Sequence, residues 1–305
     1  MPIPALIIDT MRQAPRLYEM TVEEIRQVFI DQGKAAPPLP YAGQIEERTL
    51  STAHRETPVR IYRMTEDEAA SVLVYFHGGG MLFGDLNFMD APCRYISEHA
   101  CCTVISVDYA LAPENKFPKP LEECYEAVRE IVRNAAELKI DPSRLALGGD
   151  SAGGNLTATV SMLARERKEF SIVRQVLLYP WIDLATDPDL KENETNDLPL
   201  NAGDFKLLNK VYLNDPEEAK LPLVSPVYAE DLAGLPPAVI ITEGNDPLKE
   251  EGMTYAGRLA EAGVPVAHMH FDDMIHGFIQ FTGVVEEAAE ALDFVCGILK
   301  EDFSK

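Results

Sequence analysis

The 305-residue sequence has few basic residues and no long apolar segment. Its 27 lysines and arginines stand against 50 aspartates and glutamates, which gives a formal net charge of −23 at pH 7. Nucleic acids and anionic membrane surfaces bind to basic surfaces, so the charge argues against both. No segment reaches the ~18 apolar residues of a membrane span, and the first 20 residues lack the pattern of a signal peptide. We therefore expect neither a nucleic-acid partner nor a membrane partner.

The five cysteines are odd in number and include no C-x-x-C pair. This argues against a disulfide framework and against a cysteine-built metal site. A reducing compartment fits such a sequence best. We therefore expect a cytoplasmic protein without a metal site.

Short β-branched or apolar segments alternate with helical patterns along the chain. The predicted strands are residues 72–76, 103–109, 145–148, 176–179, 238–242 and 266–271. The predicted helices are residues 91–99, 121–138, 152–168, 249–262 and 284–299. This alternation predicts an α/β fold with a mostly parallel central sheet flanked by helices. Ligands of such sheets bind at the carboxyl ends of the strands.

Two segments do not follow the alternation. Residues 1 to about 45 have a helical pattern that ends in a proline-rich stretch, and residues 183 to about 222 form a long acidic insertion. A loop of this length in a compact domain is usually functional or carries its own structure. We expect one domain over residues 1–305 in which both segments form a helical cap over the strand ends. The alternative is an independent N-terminal arm together with a disordered loop.

The stretch Gly149-Asp150-Ser151-Ala152-Gly153 lies between an apolar segment and a helical pattern. It fits the G-x-S-x-G elbow, in which a sharp strand-to-helix turn exposes a strained nucleophilic serine. Glycines on either side allow the close backbone approach that the turn requires. The alternative is a glycine-rich turn whose serine caps a helix.

A serine hydroxyl needs a base, and the base needs an orienting acid. The chain order around such an elbow is serine, acid, histidine, which leaves three of the six histidines. His276 follows a predicted strand, whereas His268 and His270 lie inside it. Asp246 follows another predicted strand and is the candidate acid, with Glu243 as the alternative.

Hydrolysis also requires donors for the oxyanion of a tetrahedral intermediate. The backbone N–H of Ala152 follows the candidate nucleophile at the positive end of a helix. A second donor is expected in the loop His77-Gly78-Gly79-Gly80, where glycines leave the backbone amides accessible. We expect His77 to brace this loop through hydrogen bonds.

A metal site is a competing interpretation of the histidines. His268 and His270 share a strand face and, together with Asp273 and His276, could hold a metal ion. No other feature of the sequence supports this interpretation, and a buried, hydrogen-bonded role is expected for the strand pair.

Five motifs occur in order over about 200 residues. They are His77-Gly78-Gly79-Gly80, Asp108-Tyr109-Ala110-Leu111-Ala112-Pro113-Glu114, Gly149-Asp150-Ser151-Ala152-Gly153-Gly154, Asp246-Pro247-Leu248 and His276-Gly277-Phe278. Together they resemble the motifs of the bacterial hormone-sensitive-lipase-like (family IV) carboxylesterases, which have the α/β-hydrolase fold. The N-terminal and inserted segments also look like the two-part cap of that family. Two departures are Ala110, where the family usually has arginine, and the stretch Glu243-Gly244-Asn245 before the acid.

The resemblance implies a function and a set of site residues. It implies that Ser151, Asp246 and His276 form a catalytic triad. It implies an oxyanion hole made by the N–H groups of Gly79, Gly80 and Ala152. It further implies a cofactor-free enzyme that prefers short acyl chains and is commonly a homodimer.

We therefore expect a serine carboxylesterase that acts on small-molecule esters through an acyl-enzyme. Met81, Leu82 and Phe83 follow the oxyanion glycines, so at least one of them should face the acyl group. An amidase, a deacetylase or a sugar-acetyl esterase of the same fold is the main alternative, because bond preference depends on pocket geometry. A non-catalytic small-molecule receptor is a further alternative, but the receptors that resemble this family lack the histidine that is present here as His276.

Overall fold

The described residues form one eight-stranded sheet. The computed structural model describes residues 8, 12, 15–35, 38–65, 67, 69–191 and 200–305. The strands are β1 (Gln44–Ser51), β2 (Glu56–Arg63), β3 (Ala70–Phe76), β4 (Thr103–Val107), β5 (Ile140–Asp150), β6 (Arg174–Leu178), β7 (Ala238–Asn245) and β8 (Val266–Ile275). Their order across the sheet is β1-β2-β4-β3-β5-β6-β7-β8.

Strands β3 to β8 are parallel, as the alternation of strands and helices predicts. Every residue of β3 is buried, which matches the continuous apolar composition of a strand covered on both faces. The prediction of an α/β fold with a mostly parallel sheet is confirmed. The hairpin β1–β2 was not predicted. It pairs antiparallel to β4, and β1 is a largely exposed edge strand whose polar sequence lacks the apolar signal of a buried strand.

Seven α-helices are present in the described residues. They are α1 (Val22–Ala35), α2 (Asp90–Ala100), α3 (Lys119–Arg133), α4 (Ala152–Arg167), α5 (Ala202–Tyr212), α6 (Lys249–Glu261) and α7 (Glu286–Phe303). Helices α2 and α7 pack together over one face of the sheet, and α3, α4 and α6 cover the other face. The five predicted helices correspond to α2, α3, α4, α6 and α7. No helix in the described ranges combines the length and apolarity that crossing a bilayer requires.

The predicted strand 103–109 is shorter in the structure, where β4 ends at Val107. Tyr109 leaves the sheet because its ring stacks on His77, with 4.4 Å between the ring centroids. Its hydroxyl also donates to the carbonyl of His77 at 2.7 Å. Tyr109, which the sequence assigns to the strand, therefore packs against the start of the glycine loop that follows β3.

Helices α1 and α5 lie in the two segments for which a cap is expected. Arg26 of α1 donates to the carbonyls of Leu82 and Ala112 at 3.0 and 2.7 Å and pairs with Glu114. Residues 44 and 45 belong to β1 rather than to the helical segment. Residues 1–7, 9–11, 13, 14, 36, 37 and 192–199 of the expected cap lie outside the described residues.

Candidate active site

Ser151 lies at a sharp turn between β5 and α4. Its backbone has φ 53° and ψ −116°, a conformation that L-residues rarely adopt. The turn brings backbones so close that a Cβ on Gly153 would lie 1.9 Å from the carbonyl oxygen of Phe76. A Cβ on Gly149 would lie 2.3 Å from the oxygen of Gly153. The two glycines of the motif are therefore required by the geometry of the turn.

Two hydrogen bonds link Ser151 to the candidate base and acid. His276 Nε2 lies 2.9 Å from Ser151 Oγ, and His276 Nδ1 lies 2.9 Å from Asp246 Oδ2. Asp246 is 4% exposed, and its other oxygen accepts the N–H of Leu248 at 2.8 Å. With Nδ1–H donating to the carboxylate, Nε2 would be unprotonated and able to accept a proton from Ser151 Oγ.

These three side chains meet because adjacent parallel strands end at the same edge of the sheet. Ser151 follows β5, Asp246 follows β7, and His276 follows β8. The sequence-based assignment of each residue to the end of a strand therefore agrees with its position in the structure.

Glu243, the alternative acid, lies inside β7 and is fully buried. Its Oε1 is 3.9 Å from His276 Nδ1, which is too far for a hydrogen bond. Burial, followed by the charge of Asp246, raises the pKa of Glu243 well above its ordinary value. Asp246 is therefore the carboxylate that orients the imidazole.

The glycine loop after β3 presents candidate oxyanion donors. Gly79 and Gly80 have φ values of +106° and +61°. Within the described part of the chain, the N–H groups of Gly79, Gly80 and Ala152 have no hydrogen-bond acceptor. Free backbone donors beside a serine hydroxyl are suited to bind a developing oxyanion.

Asp150 holds this loop, a role that the sequence reasoning missed. Its Oδ1 accepts the N–H of Gly78 at 2.9 Å and the hydroxyl of Tyr75 at 3.0 Å. Burial raises the pKa of Asp150 to about 6. The only signal in the sequence was its place next to Ser151.

His77 lies under the same loop. Burial lowers the pKa of its imidazole, and Nδ1–H donates to the carbonyl of Gly78 at 2.7 Å. The ring is sandwiched between the loop and Tyr109, which agrees with the expected bracing position.

A pocket of about 960 Å³ opens over Ser151 and His276. Phe83 lines it, stacked on Phe29 of α1 with 3.8 Å between the ring centroids. The structure places Met81 and Leu82 differently from the sequence-based expectation, because both are fully buried and neither lines this pocket. The N–H groups of residues 82 and 83 both donate to the carbonyl of Gly79 and form a turn. This turn directs the side chains of Met81 and Leu82 into the core.

Helix α5 forms another wall of this pocket, through Phe205 and Leu208. Leu208 lies against the oxyanion loop, since a Cβ on Gly80 would be 2.5 Å from its Cδ2. Both segments for which a cap is expected therefore contribute side chains to the space above Ser151.

The strand histidines of the competing metal interpretation contact a threonine. His268 Nε2 and His270 Nδ1 each lie 2.8 Å from the hydroxyl of Thr242. His276 instead contacts Ser151 and Asp246, so the structure does not bring the three histidines to a common point.

Ala110 occupies a buried site beside an ion pair. Its N–H donates to Glu123 Oε2 at 3.1 Å, and Glu123 Oε1 pairs with Arg55 at 2.7 Å. The buried carboxylate thus has a guanidinium partner from the turn between β1 and β2.

Comparison with known proteins identifies the family and the fold. The profile of a family described as having the alpha/beta hydrolase fold matches residues 73–280. The chain is 35% identical over 284 residues to an arylesterase of Saccharolobus solfataricus, covering 92% of this chain and 91% of the relative. It is 39% identical over 277 residues to the carboxylesterase NlhH of Mycobacterium tuberculosis (strain ATCC 25618 / H37Rv), covering 88% and 86%. An esterase of the archaeon Pyrobaculum calidifontis superposes with a TM-score of 0.92 at 33% identity, over 99% of both chains.

Proposed function

Since this chain belongs to the hormone-sensitive-lipase-like (family IV) group of the α/β-hydrolase fold and is a carboxylesterase, we propose that Ser151, His276 and Asp246 are its catalytic triad. The observation that carries the proposal is the chain of two 2.9 Å hydrogen bonds through the imidazole. The strained backbone of Ser151 at the elbow supports it.

In this mechanism Ser151 Oγ attacks the carbonyl carbon of the ester while His276 Nε2 takes its proton. Asp246 holds Nδ1–H and stabilises the imidazolium that forms. The imidazolium then gives the proton to the departing alkoxide, which leaves as the alcohol. Water, deprotonated by the same base, hydrolyses the acyl-enzyme and restores the serine.

The oxyanion of both tetrahedral intermediates is proposed to bind to the N–H groups of Gly79, Gly80 and Ala152. Their lack of other acceptors in the described residues supports this role. Loss of one such donor typically lowers kcat by about 10²–10³. The hydrogen bond from Gly78 to Asp150 holds the loop in place before substrate arrives.

We propose that α1 and α5, with the segments around them, act as a cap that limits the acyl chain. Phe83 packs on Phe29 of α1, so a longer acyl chain must displace both rings. Each buried methylene adds ~0.8 kcal/mol while space remains, whereas overpacking costs ~1–3 kcal/mol. From this balance of burial and overpacking, we expect kcat/KM to be highest for acyl chains of roughly C2 to C6 and to fall sharply by about C10. A kcat/KM profile on p-nitrophenyl esters that climbs beyond about C10 would contradict the cap model.

We further propose a cytoplasmic homodimer. All five cysteines are free, and four of them are buried, which supports a reducing compartment. The dimer rests on the family resemblance, and light scattering coupled to size-exclusion chromatography tests it. A monomer at micromolar concentration would contradict it.

The triad proposal is tested with a matched pair of serine variants. Ser151→Ala should lower kcat/KM by about 10³ or more and abolish fluorophosphonate labelling. Ser161→Ala removes a buried hydroxyl from α4, the helix that begins next to Ser151, and should leave the labelling intact. Retention of more than about a tenth of the activity by Ser151→Ala would exclude Ser151 as the nucleophile.

A further inference from the structure

Glu243 is a buried carboxyl group that the hydrolytic mechanism does not use. It lies near the end of β7 with 0% of its surface exposed. As an ionised carboxylate it would have no donor for either oxygen in the described part of the chain. A buried carboxylate without any donor is strongly destabilised, so the group is present in another form.

The position of Glu243 beside the triad limits the forms that it can take. One oxygen each of Glu243 and Asp246 and a ring nitrogen of His276 lie within 4.8 Å of one another. Two negative charges at this distance repel each other strongly in a buried site, so that one carboxyl retains its proton. Asp246 already accepts two N–H donors, which stabilise its anionic form.

The surroundings of Glu243 supply no further cation. In the described part of the chain, its titratable neighbours are Asp246 after β7, His276 after β8 and Tyr179 after β6. Burial raises the pKa of the Tyr179 phenol well above its ordinary value. Burial is also the main cause that raises the pKa of Glu243, ahead of the charge of Asp246. The Tyr179 phenol is therefore neutral at pH 7, and the same burial favours the protonated form of Glu243.

We propose that Glu243 is a neutral positioning residue that donates its carboxyl proton to Asp246, so that these two carboxyl groups together place one negative charge rather than two beside His276. The inference rests on the proposed triad. The hydrogen bond places a donor on a carboxylate that already orients the imidazole. An ionised Glu243 would instead add a second carboxylate charge next to the imidazolium and stabilise it.

The acid limb of the pH–rate profile reports this difference, because only the neutral imidazole acts as a base. A unit charge at about 4 Å in a protein site with an effective dielectric constant of about 20 shifts a titration by roughly 3 pH units. If Glu243 were ionised in the working enzyme, its removal would move the midpoint of the acid limb to a lower pH by about that amount.

The first experiment compares kcat/KM profiles of wild type and Glu243→Gln on one p-nitrophenyl ester. The amide keeps the size and can donate an N–H to Asp246, so the midpoint of the acid limb should move by less than about one pH unit. A downward shift of about one unit or more would show that an ionised carboxylate had been removed, and would overturn the proposal. Glu123→Gln is the matched control, since Glu123 is 1% exposed but contacts Arg55 rather than the triad.

A second variant, Glu243→Leu, removes both the proton donor and any charge. Without this donor, the full charge of Asp246 stabilises the imidazolium. The midpoint of the acid limb should therefore move to a higher pH, by up to about one unit. A midpoint at a lower pH than that of wild type would overturn the proposal, even if Glu243→Gln failed to fold. Failure of the triad itself is distinguishable, because Ser151→Ala would then remain active whatever the Glu243 variants do.

Discussion

Gly153→Ala tests the close packing that forms the elbow. A Cβ at this position would lie 1.9 Å from the carbonyl oxygen of Phe76 and 2.7 Å from that of His77. Both obstacles are backbone atoms at the end of β3. That strand is paired on both sides, with β4 and β5, so it cannot shift alone.

The expected destabilisation follows from this contact. Overpacking of a close-packed core costs typically ~1–3 kcal/mol and occasionally more. The methyl group here meets rigid backbone, so we expect a loss of about 3 kcal/mol in the free energy of unfolding. For a chain of 305 residues this corresponds to a fall of about 5 °C in Tm.

Two other helical glycines provide matched controls. A Cβ at Gly257 of α6 or at Gly297 of α7 would have no neighbour within 4 Å. The same substitution to alanine should therefore stabilise the protein, by about 0.5–1 kcal/mol for each site. The sign of the effect thus depends on packing rather than on helix propensity.

The assay combines urea unfolding, followed by circular dichroism, with kcat/KM on p-nitrophenyl butyrate. Displacement of residues 76 and 77 also moves the glycine loop that follows them, so Gly153→Ala should lose at least about tenfold in kcat/KM. The controls should keep wild-type activity. A Gly153→Ala variant as stable and as active as the controls would refute the packing argument.

Three further predictions concern the loop, the cap and the pocket. Asp150 has a pKa of about 6 in the folded protein against an ordinary value of 3.8. Its contribution to stability is therefore fully present below about pH 4 and is lost as the pH rises through about 6. The asparagine of Asp150→Asn does not titrate, so the free energy of unfolding of this variant should increase relative to that of wild type by up to about 3 kcal/mol between pH 4 and 7 in urea unfolding. A difference between the two proteins that is the same at both pH values would contradict this. Arg26→Ala should cost about 1–3 kcal/mol in the same assay, since two carbonyls and Glu114 lose their donor, whereas Arg26→Lys should recover part of this loss. Phe83→Ala should raise kcat/KM for C8 relative to C4 p-nitrophenyl esters, and an unchanged ratio would place the acyl chain elsewhere.

A strand or helix could be predicted wherever its own residues carry a clear apolar pattern. The apolar composition of β3, buried at every residue, identifies a central strand without knowledge of its neighbours. Strand β1 is an exposed edge, and its polar residues carry no comparable signal. Its pairing with β2 depends on a contact between two segments rather than on either one, and it was missed.

The sequence by itself determined the elements of the candidate site. A serine between glycines at the end of a strand, and a histidine and an aspartate after two later strands, suffice to bring these groups together, because parallel strands end at one edge of the sheet.

Only the tertiary structure decided how the surrounding residues divide their roles. Asp246 rather than Glu243 reaches the imidazole, and Phe83 rather than Leu82 reaches the pocket. Asp150 holds the glycine loop from 72 residues away along the chain. The physical reason is the same in each case. Side-chain direction at a turn and burial next to another charge depend on which distant segments pack there, and those contacts exist only in the folded chain.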